Sequence, residues 1–243
     1  QGVPVIGCEC EVCISTDRRD KRLRTAALVE AGDHVLVIDA GPDFRQQMLR
    51  ENVQQLDAVL ITHEHTDHMI GLDDVRPFNF RYHRAMPIYA TRPVQKELRD
   101  RFAYAFAERP YPGAPSYEFR TISKEEPFSV NGHSIQPIEV IHGRLPVLGF
   151  RFGKFTYITD AKTIAEEELE KVKGTEVLVL NALHHSEHYS HLNLEQALAL
   201  VERLQPRQAW LTHISHHMGL HEEINEQLPE NVALAYDGLR IEI

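Results

Sequence analysis

The feature that most constrains this chain is seven residues long. Thr62-His63-Glu64-His65-Thr66-Asp67-His68 follows directly on Leu56–Ile61, a run that is apolar but for Asp57 and reads as a buried strand. A His-x-His-x-Asp-His pattern there sets imidazole nitrogens and a carboxylate just past a strand end, where the functional loops of α/β folds collect. These are the donors that a borderline divalent metal takes. His63 and His65 stand two apart and can converge on one ion, while Asp67 and His68 can reach a second. The plain alternative is a polar surface loop that happens to be rich in His. Four such ligands at this spacing, straight after a strand, are hard to reach by accident.

The rest of the chain alternates strand and helix signals. Apolar runs at Ala26–Ala31 and His34–Ala40 flank Gly32-Asp33 as a hairpin would. Helices are expected over Phe44–Asn52, Val94–Ala107, Ile164–Lys173 and Leu220–Leu228, and strands over Pro87–Thr91, Glu176–Leu180 and Gln208–Thr212. Several short strands fill 117–160, with turns at Asn131-Gly132 and Gly153-Lys154, and two more close the chain. Leu194, Ala197, Leu198, Val201 and Leu204 make a helical stripe with Asn193 as its N-cap. The antiparallel character of the middle favours an α/β sandwich over a purely parallel sheet.

Composition bounds the function. The 243 residues, 42% of them hydrophobic, suit one globular domain over 1–243. The net charge of −10 argues against broad nucleic-acid binding, which needs clustered Lys and Arg. It leaves room for a small anionic substrate, because bound metal ions reverse the local field. No stretch is long and apolar enough to span a membrane. All three Cys lie within Cys8-Glu9-Cys10-Glu11-Val12-Cys13, a poor disulfide framework and a better metal clip for a reducing, cytoplasmic compartment.

The His-x-His-x-Asp-His motif is the signature of the metallo-β-lactamase superfamily, and the chain resembles that family over nearly its whole length. The resemblance implies an α/β fold, the αββα sandwich. It also supplies further ligands in order: His142 in Val140-Ile141-His142-Gly143, Asp160 at the end of Phe155–Asp160, and His213 in Trp210-Leu211-Thr212-His213. It implies one ion on His63, His65 and His142, a second on Asp67, His68 and His213, and Asp160 bridging both. A hydroxide held between two such ions is a nucleophile near neutral pH. Asp39, in Ile38-Asp39-Ala40-Gly41-Pro42, matches a carboxylate that orients a ligand His through its far ring nitrogen.

Within the superfamily, Asp160 stands where β-lactam-hydrolysing members have Cys, and His65 where the redox diiron members have Glu. The chain is most similar to the PhnP type of cyclic phosphodiesterase. Gln1-Gly2-Val3-Pro4 with Gly7-Cys8-Glu9-Cys10 and Cys13 looks like that family's N-terminal metal loop, and Thr212-His213-Ile214-Ser215-His216 looks like its last motif. Cys8, Cys10, Cys13 and His216 then make a Cys₃His set for a structural zinc. The family has a further strand ahead of this loop, which the resemblance places upstream of residue 1. His191 matches a family His near the substrate, suited to protonate the leaving oxygen. Arg76 suits either a phosphate contact or a salt bridge to a neighbouring Asp.

The expected function is a metal-dependent phosphodiesterase acting on a small, cyclic phosphodiester. Its cofactors would be two divalent ions, Zn or Mn with Ni also suitable, and one structural Zn; a homodimer is allowed. The rivals are a lactone or thioester hydrolase of the same superfamily and a non-catalytic metal-binding scaffold. A scaffold has no need of so complete a ligand order.

Overall fold

The apolar runs on either side of Gly32-Asp33 pair as a hairpin, with Gly32 at a φ of 58° that a side chain would resist. The structure, a computed structural model, describes residues 2–243; Gln1, first in the N-terminal motif, lies outside the described residues. Its contacts group the chain into two units, 26–133 and a second in which the residues up to 25 join 134–243. In that second unit the N-terminal stretch carries one helical turn, α1 (Glu11–Ile14), and closes on itself through the Val3–Arg22 backbone pair at 2.8 Å in both directions.

Unit 26–133 holds a five-stranded sheet in the order β1 (Ala27–Ala31), β2 (His34–Ile38), β3 (Ala58–Leu60), β4 (Met86–Ala90), β5 (Tyr117–Thr121). Only β1–β2 is antiparallel, as a two-residue hairpin requires; the other pairs are parallel and need crossovers. The crossovers supply helices α2 (Phe44–Arg50), α3 (Thr66–Met69), α4 (Arg76–Tyr82) and α5 (Arg92–Arg101). Phe44, Met69, Leu72, Phe78, Val94 and Leu98 bury against the sheet residues Val37, Val59 and Ile88. The helix expected over Val94–Ala107 is split. It starts at Arg92 and ends at Arg101, where Phe102 leaves helical angles with its ring buried, and a 3₁₀ turn follows over Ala103–Phe106.

The strand β6 (Phe128–Val130) leads through Asn131-Gly132, both at positive φ, into β7 (His133–His142). In the second unit, β8 (Leu145–Phe152) and β9 (Phe155–Ile158) continue β7 antiparallel, and β10 (Thr163–Ile164) pairs its other edge. From β9 the sheet turns parallel through β11 (Val177–Asn181), β12 (Gln208–Thr212) and β13 (Val232–Leu234). All five residues of β11 are buried, as befits a strand covered on both faces. Helices α6 (Glu166–Val172), α7 (Leu194–Leu204) and α8 (His221–Asn225) accompany these strands.

Asn193 caps α7 as the sequence suggests: its side chain accepts from Gln196 N at 2.9 Å, and the Gln196 side chain accepts from Asn193 N at 3.2 Å. This reciprocal cap is worth about 1 kcal/mol. The helix expected from Ile164 starts two residues later, because Thr163 and Ile164 pair with Ile141 and Val140 instead. Of the two closing strands expected, only β13 forms among the described residues. Gly238, at φ 86°, turns the chain, and the Asp237 carboxylate accepts from Leu23 N at 3.2 Å.

Beside this N-terminal tie lies a buried ionic cluster. Arg22 donates from Nη2 to His221 Nδ1 at 3.2 Å, and His221 N donates to Asp20 at 2.8 Å. An arginine donor requires a lone pair on Nδ1, so the imidazole is neutral. Burial and the Arg22 and Arg19 charges push its pKa down to about 4, against the pull of Asp17 and Asp20. The folded value lies below the unfolded one near 6.5. Stability is therefore complete above pH 6.5 and falls as the pH drops toward 4, by an amount of order 2–3 kcal/mol. Urea denaturation at pH 7 and pH 4.5 should show that loss in the wild type and a visibly smaller one in His221→Gln.

Candidate metal centres

In unit 26–133 the strand ends β2 and β3 set the motif. Asp39 follows β2 and is fully buried. Its carboxylate accepts from Thr62 N at 2.9 Å, from Thr62 Oγ1 at 2.9 Å and from His68 Nδ1 at 2.7 Å. Burial pushes the Asp39 carboxyl up, and His68 and Thr62 pull against it. Because Thr62 spends its one hydrogen on Asp39, its oxygen is an acceptor for His63 Nδ1 at 2.9 Å. One carboxylate thus fixes the tautomers of two imidazoles, directly for His68 and through a hydroxyl for His63. In both rings Nε2 is left as the lone-pair nitrogen that a metal needs. The His63 ring lies 4.6 Å from that of His65 and 4.3 Å from that of His68, centroid to centroid. Asp67 enters on the single turn α3, which the sequence did not announce as helical.

A close backbone approach holds this arrangement. Ala40 N donates to His68 O at 2.7 Å, and Gly71 N to Ala40 O at 2.8 Å. A Cβ on Gly71 would sit 2.0 Å from the carbonyl oxygen of Gly41, so no larger residue fits there.

In the second unit the ends of β7, β9 and β12 deliver His142, Asp160 and His213. His142 Nδ1 donates to Ser190 O at 2.7 Å, which again leaves Nε2 as the lone-pair nitrogen. His213 Nδ1 lies 3.3 Å and His191 Nε2 3.1 Å from the Asp160 carboxylate. Donor atoms of His142, Asp160 and His191 all fall within 4.8 Å of one another. Main-chain pairing explains the meeting: Leu192 N donates to Ala161 O at 2.7 Å, one residue beyond His191 and Asp160. The buried Asn181 side chain clamps Ala161, accepting from its N at 2.7 Å and donating to its O at 3.0 Å. Asp39, Asp160 and His213 have φ of 65°, 57° and 54°. Left-handed backbone in such residues costs about 1–3 kcal/mol and gathers where function demands it.

The remaining clusters sort themselves. Arg76 pairs with Asp73 at 3.1 Å. Among the neighbouring histidines 184, 185, 188 and 191, His185 Nε2 lies 2.8 Å from Met218 O, and His188 Nδ1 lies 3.2 Å from His191 Nδ1. Thr62, Asn181 and Ser190 were not legible as site residues. The one available signal was Asn181, a polar residue ending an otherwise apolar strand.

The Cys set lies wholly in the second unit. Sγ of Cys8, Cys10 and Cys13 sit 3.3, 3.4 and 3.5 Å from the same atom, His216 Nδ1. One ring nitrogen holds one hydrogen or one lone pair, so hydrogen bonding does not account for three equal contacts. Zinc bonds of about 2.3 Å to sulfur and 2.0 Å to nitrogen give a tetrahedral S···N edge of about 3.5 Å. The donor set fits zinc in chemistry and in size. A backbone hydrogen bond at Cys13 helps to draw the Cys10 thiol down to about 6, whereas burial pushes Cys13 up.

Comparison with known proteins agrees with this geometry. The family model of the beta-lactamase superfamily domain matches residues 34–214. A crystal structure described as a new diphosphatase from the PhnP family is 38% identical, with a TM-score of 0.91 over 98% of this chain and 91% of that one. The chain belongs to the metallo-β-lactamase superfamily and, within it, to the PhnP family. With membership comes the metallo-β-lactamase fold read from the sequence. The Zn²⁺-bound PqqB from Methylobacterium extorquens shares the fold at 19% identity, TM-score 0.79, over 100% of this PhnP-family chain and 96% of its own. An octanoyltransferase of Porphyromonas gingivalis is 44% identical over 98% of this chain, which spans about half (48%) of that relative's length. No helix among the described residues is long and apolar enough to cross a membrane.

The Cys₃His geometry yields a direct test. Purified chain should carry one zinc that survives brief chelation, and Cys13→Ser or His216→Ala should lose it and lower the melting temperature. Metal analysis showing equal zinc content in these variants and the wild type would reject the clip.

Proposed function

We propose that this protein is a binuclear metal-dependent phosphodiesterase that hydrolyses a small, cyclic phosphodiester. In this reading His63, His65 and His142 hold one ion, Asp67, His68 and His213 a second, and Asp160 is shared. The observation that carries it is the pair of tautomers set by Asp39, which presents two Nε2 lone pairs at the end of β3. The donors suit Zn or Mn, with Ni acceptable, and the Cys₃His set suits a structural Zn. Two such ions, when bound, supply a water nucleophile at neutral pH and offset the charge that develops on phosphorus. Reduced thiols fit a cytoplasmic setting.

The protein's own groups then complete the chemistry. His191 is 91% buried and is oriented at both ring nitrogens, by Asp160 at 3.1 Å and by Ser190 Oγ at 3.1 Å. A fixed imidazole beside the shared carboxylate can give its proton to the leaving oxygen, a contribution of roughly 10²–10⁴-fold. His191→Ala should therefore keep its metals and lose most turnover of an alkyl phosphodiester, with a much smaller loss on a p-nitrophenyl ester. Equal losses on both esters would make His191 a phosphate-binding residue instead.

A second reading has its own support. The 44% identical relative carries the name octanoyltransferase, which points to acyl chemistry at carbon, such as thioester hydrolysis. That relative is about twice as long as this chain, and its activity belongs to the whole. Paired assays decide the matter: a cyclic phosphodiester against an octanoyl thioester, each with Mn²⁺, Zn²⁺ and Ni²⁺. Turnover of the phosphodiester at least tenfold faster supports phosphorus. The reverse supports carbon, and none on either supports a scaffold.

A further inference from the structure

The three thiols of the Cys₃His set are not equally sheltered. Cys13 is 6% exposed and packs with Val3 and Val12, and its sulfur accepts from Val5 N at 3.4 Å. Cys8 and Cys10 are only half-buried. The turn that carries Cys8 stands in the open. Cys8 N closes it on Val5 O at 3.0 Å, the Ile6 side chain is fully exposed, and a Cβ added at Gly7 would meet nothing within 4 Å. A small solute therefore reaches two of the sulfurs and not the third. The ligand atoms of Cys8, Cys10, Cys13 and His216 all lie within 4.8 Å of one another. The two reachable sulfurs are thus neighbours in space, with only Glu9 between them in sequence.

We infer, on the structural-zinc reading of the Cys₃His set, that Cys8 and Cys10 are a redox-active pair, which hydrogen peroxide joins as a disulfide and so opens the clip. Metal-bound thiols are deprotonated outright, and the thiolate is the form that an oxidant attacks. One of the two exposed sulfurs takes an oxygen as the O–O bond breaks, giving a sulfenic acid and one hydroxide. The other sulfur attacks that sulfur. The S–S bond forms, the S–O bond breaks and a second hydroxide leaves. The two thiolates give up two electrons, and the peroxide, with two protons taken up, becomes two waters. The open turn at Gly7 leaves Cys8 the room to close on Cys10. Cys13 and His216 remain, two donors where a structural zinc takes four. The N-terminal stretch then loses its tie to the loop that presents His213. A dithiol reductant reverses the step by exchange, and the four donors are restored.

The test treats the purified, zinc-loaded protein with hydrogen peroxide and follows zinc with a chromogenic chelator. The wild type should release about one zinc per chain more than Cys13→Ser, and dithiothreitol with added zinc should restore it. The tryptic peptide that ends at Arg18 carries all three cysteines. In the untreated protein, denatured with its zinc removed, iodoacetamide should label all three; after peroxide it should label Cys13 alone. Cys8→His keeps four donors as a Cys₂His₂ set but lacks the pair. It should hold its zinc through the same treatment, and if it holds none from the start, the labelling pattern of the wild type decides alone. Zinc retained by the treated wild type, or zinc lost with Cys8 and Cys10 still open to label, overturns the inference, as does a disulfide that includes Cys13. Equal zinc in the wild type and Cys13→Ser before any peroxide overturns the clip itself.

Discussion

The buried Asp39 carboxylate is the constraint from which the ligand loop follows. A carboxylate with no exposed surface is costly unless its oxygens are occupied. Here the Thr62 amide, the Thr62 hydroxyl and the His68 ring occupy them. Each of these donors is thereby committed, and each commitment has a consequence further out. The hydroxyl, having given its hydrogen away, is an acceptor for His63; the His68 ring, having given Nδ1–H, is a base at Nε2. Neither imidazole can change tautomer without leaving Asp39 or Thr62 unpaired in a dry site, a penalty of about 1–3 kcal/mol. The left-handed backbone at Asp39 and the glycine at 71 belong to the same bargain. Both let the chain segments 39–41 and 68–71 come into main-chain contact, and that contact sets the direction in which His68 points.

What the sequence made legible follows from which signals are local. The motif at 62–68 is contiguous, so its residue types and spacing can be read without knowing the fold. The α7 helix announces itself by a 3.6-residue stripe and by Asn193, and it forms where expected. The hairpin about Gly32-Asp33 does the same with turn chemistry. Boundaries slipped where a tertiary demand outweighed the local pattern. Phe102 breaks its helix to stay buried, and Thr163-Ile164 leaves one to pair with β7. The least legible residues are those that act through another group. Thr62 looks like the first letter of a motif, and only the hydrogen-bond direction reveals it as the link between Asp39 and His63. Asn181 looks like a strand end and is a clamp on Ala161. Ser190 contributes a carbonyl, which no side-chain pattern records. His142, Asp160 and His213 were found by family order, since each is an isolated residue at a separate strand end.

The second unit brings two groups of metal-type donors within a few residues. His213 and His216 lie on one loop after β12, the first strained at φ 54° beside Asp160, the second facing three thiols. A Cys₃His zinc has four protein ligands and no open position, so its role is to hold. What it would hold is specific. Cys8, Cys10 and Cys13 belong to the N-terminal stretch, which also reaches the rest of its unit through Leu23 N on the Asp237 carboxylate, the Asp20, Arg22 and His221 cluster and a small apolar patch with Leu220. That patch is too slight to order some two dozen residues, each of which loses about 1–2 kcal/mol of backbone freedom. A zinc ligated by His216 would tie this stretch to the loop that presents His213. The strain at His213 would then be borne by zinc bonds three residues away as well as by the sheet. Occupancy of a site with no chemistry of its own would in that way decide how firmly the Asp160 side is built, which is a physical reason to keep three cysteines where no water is activated.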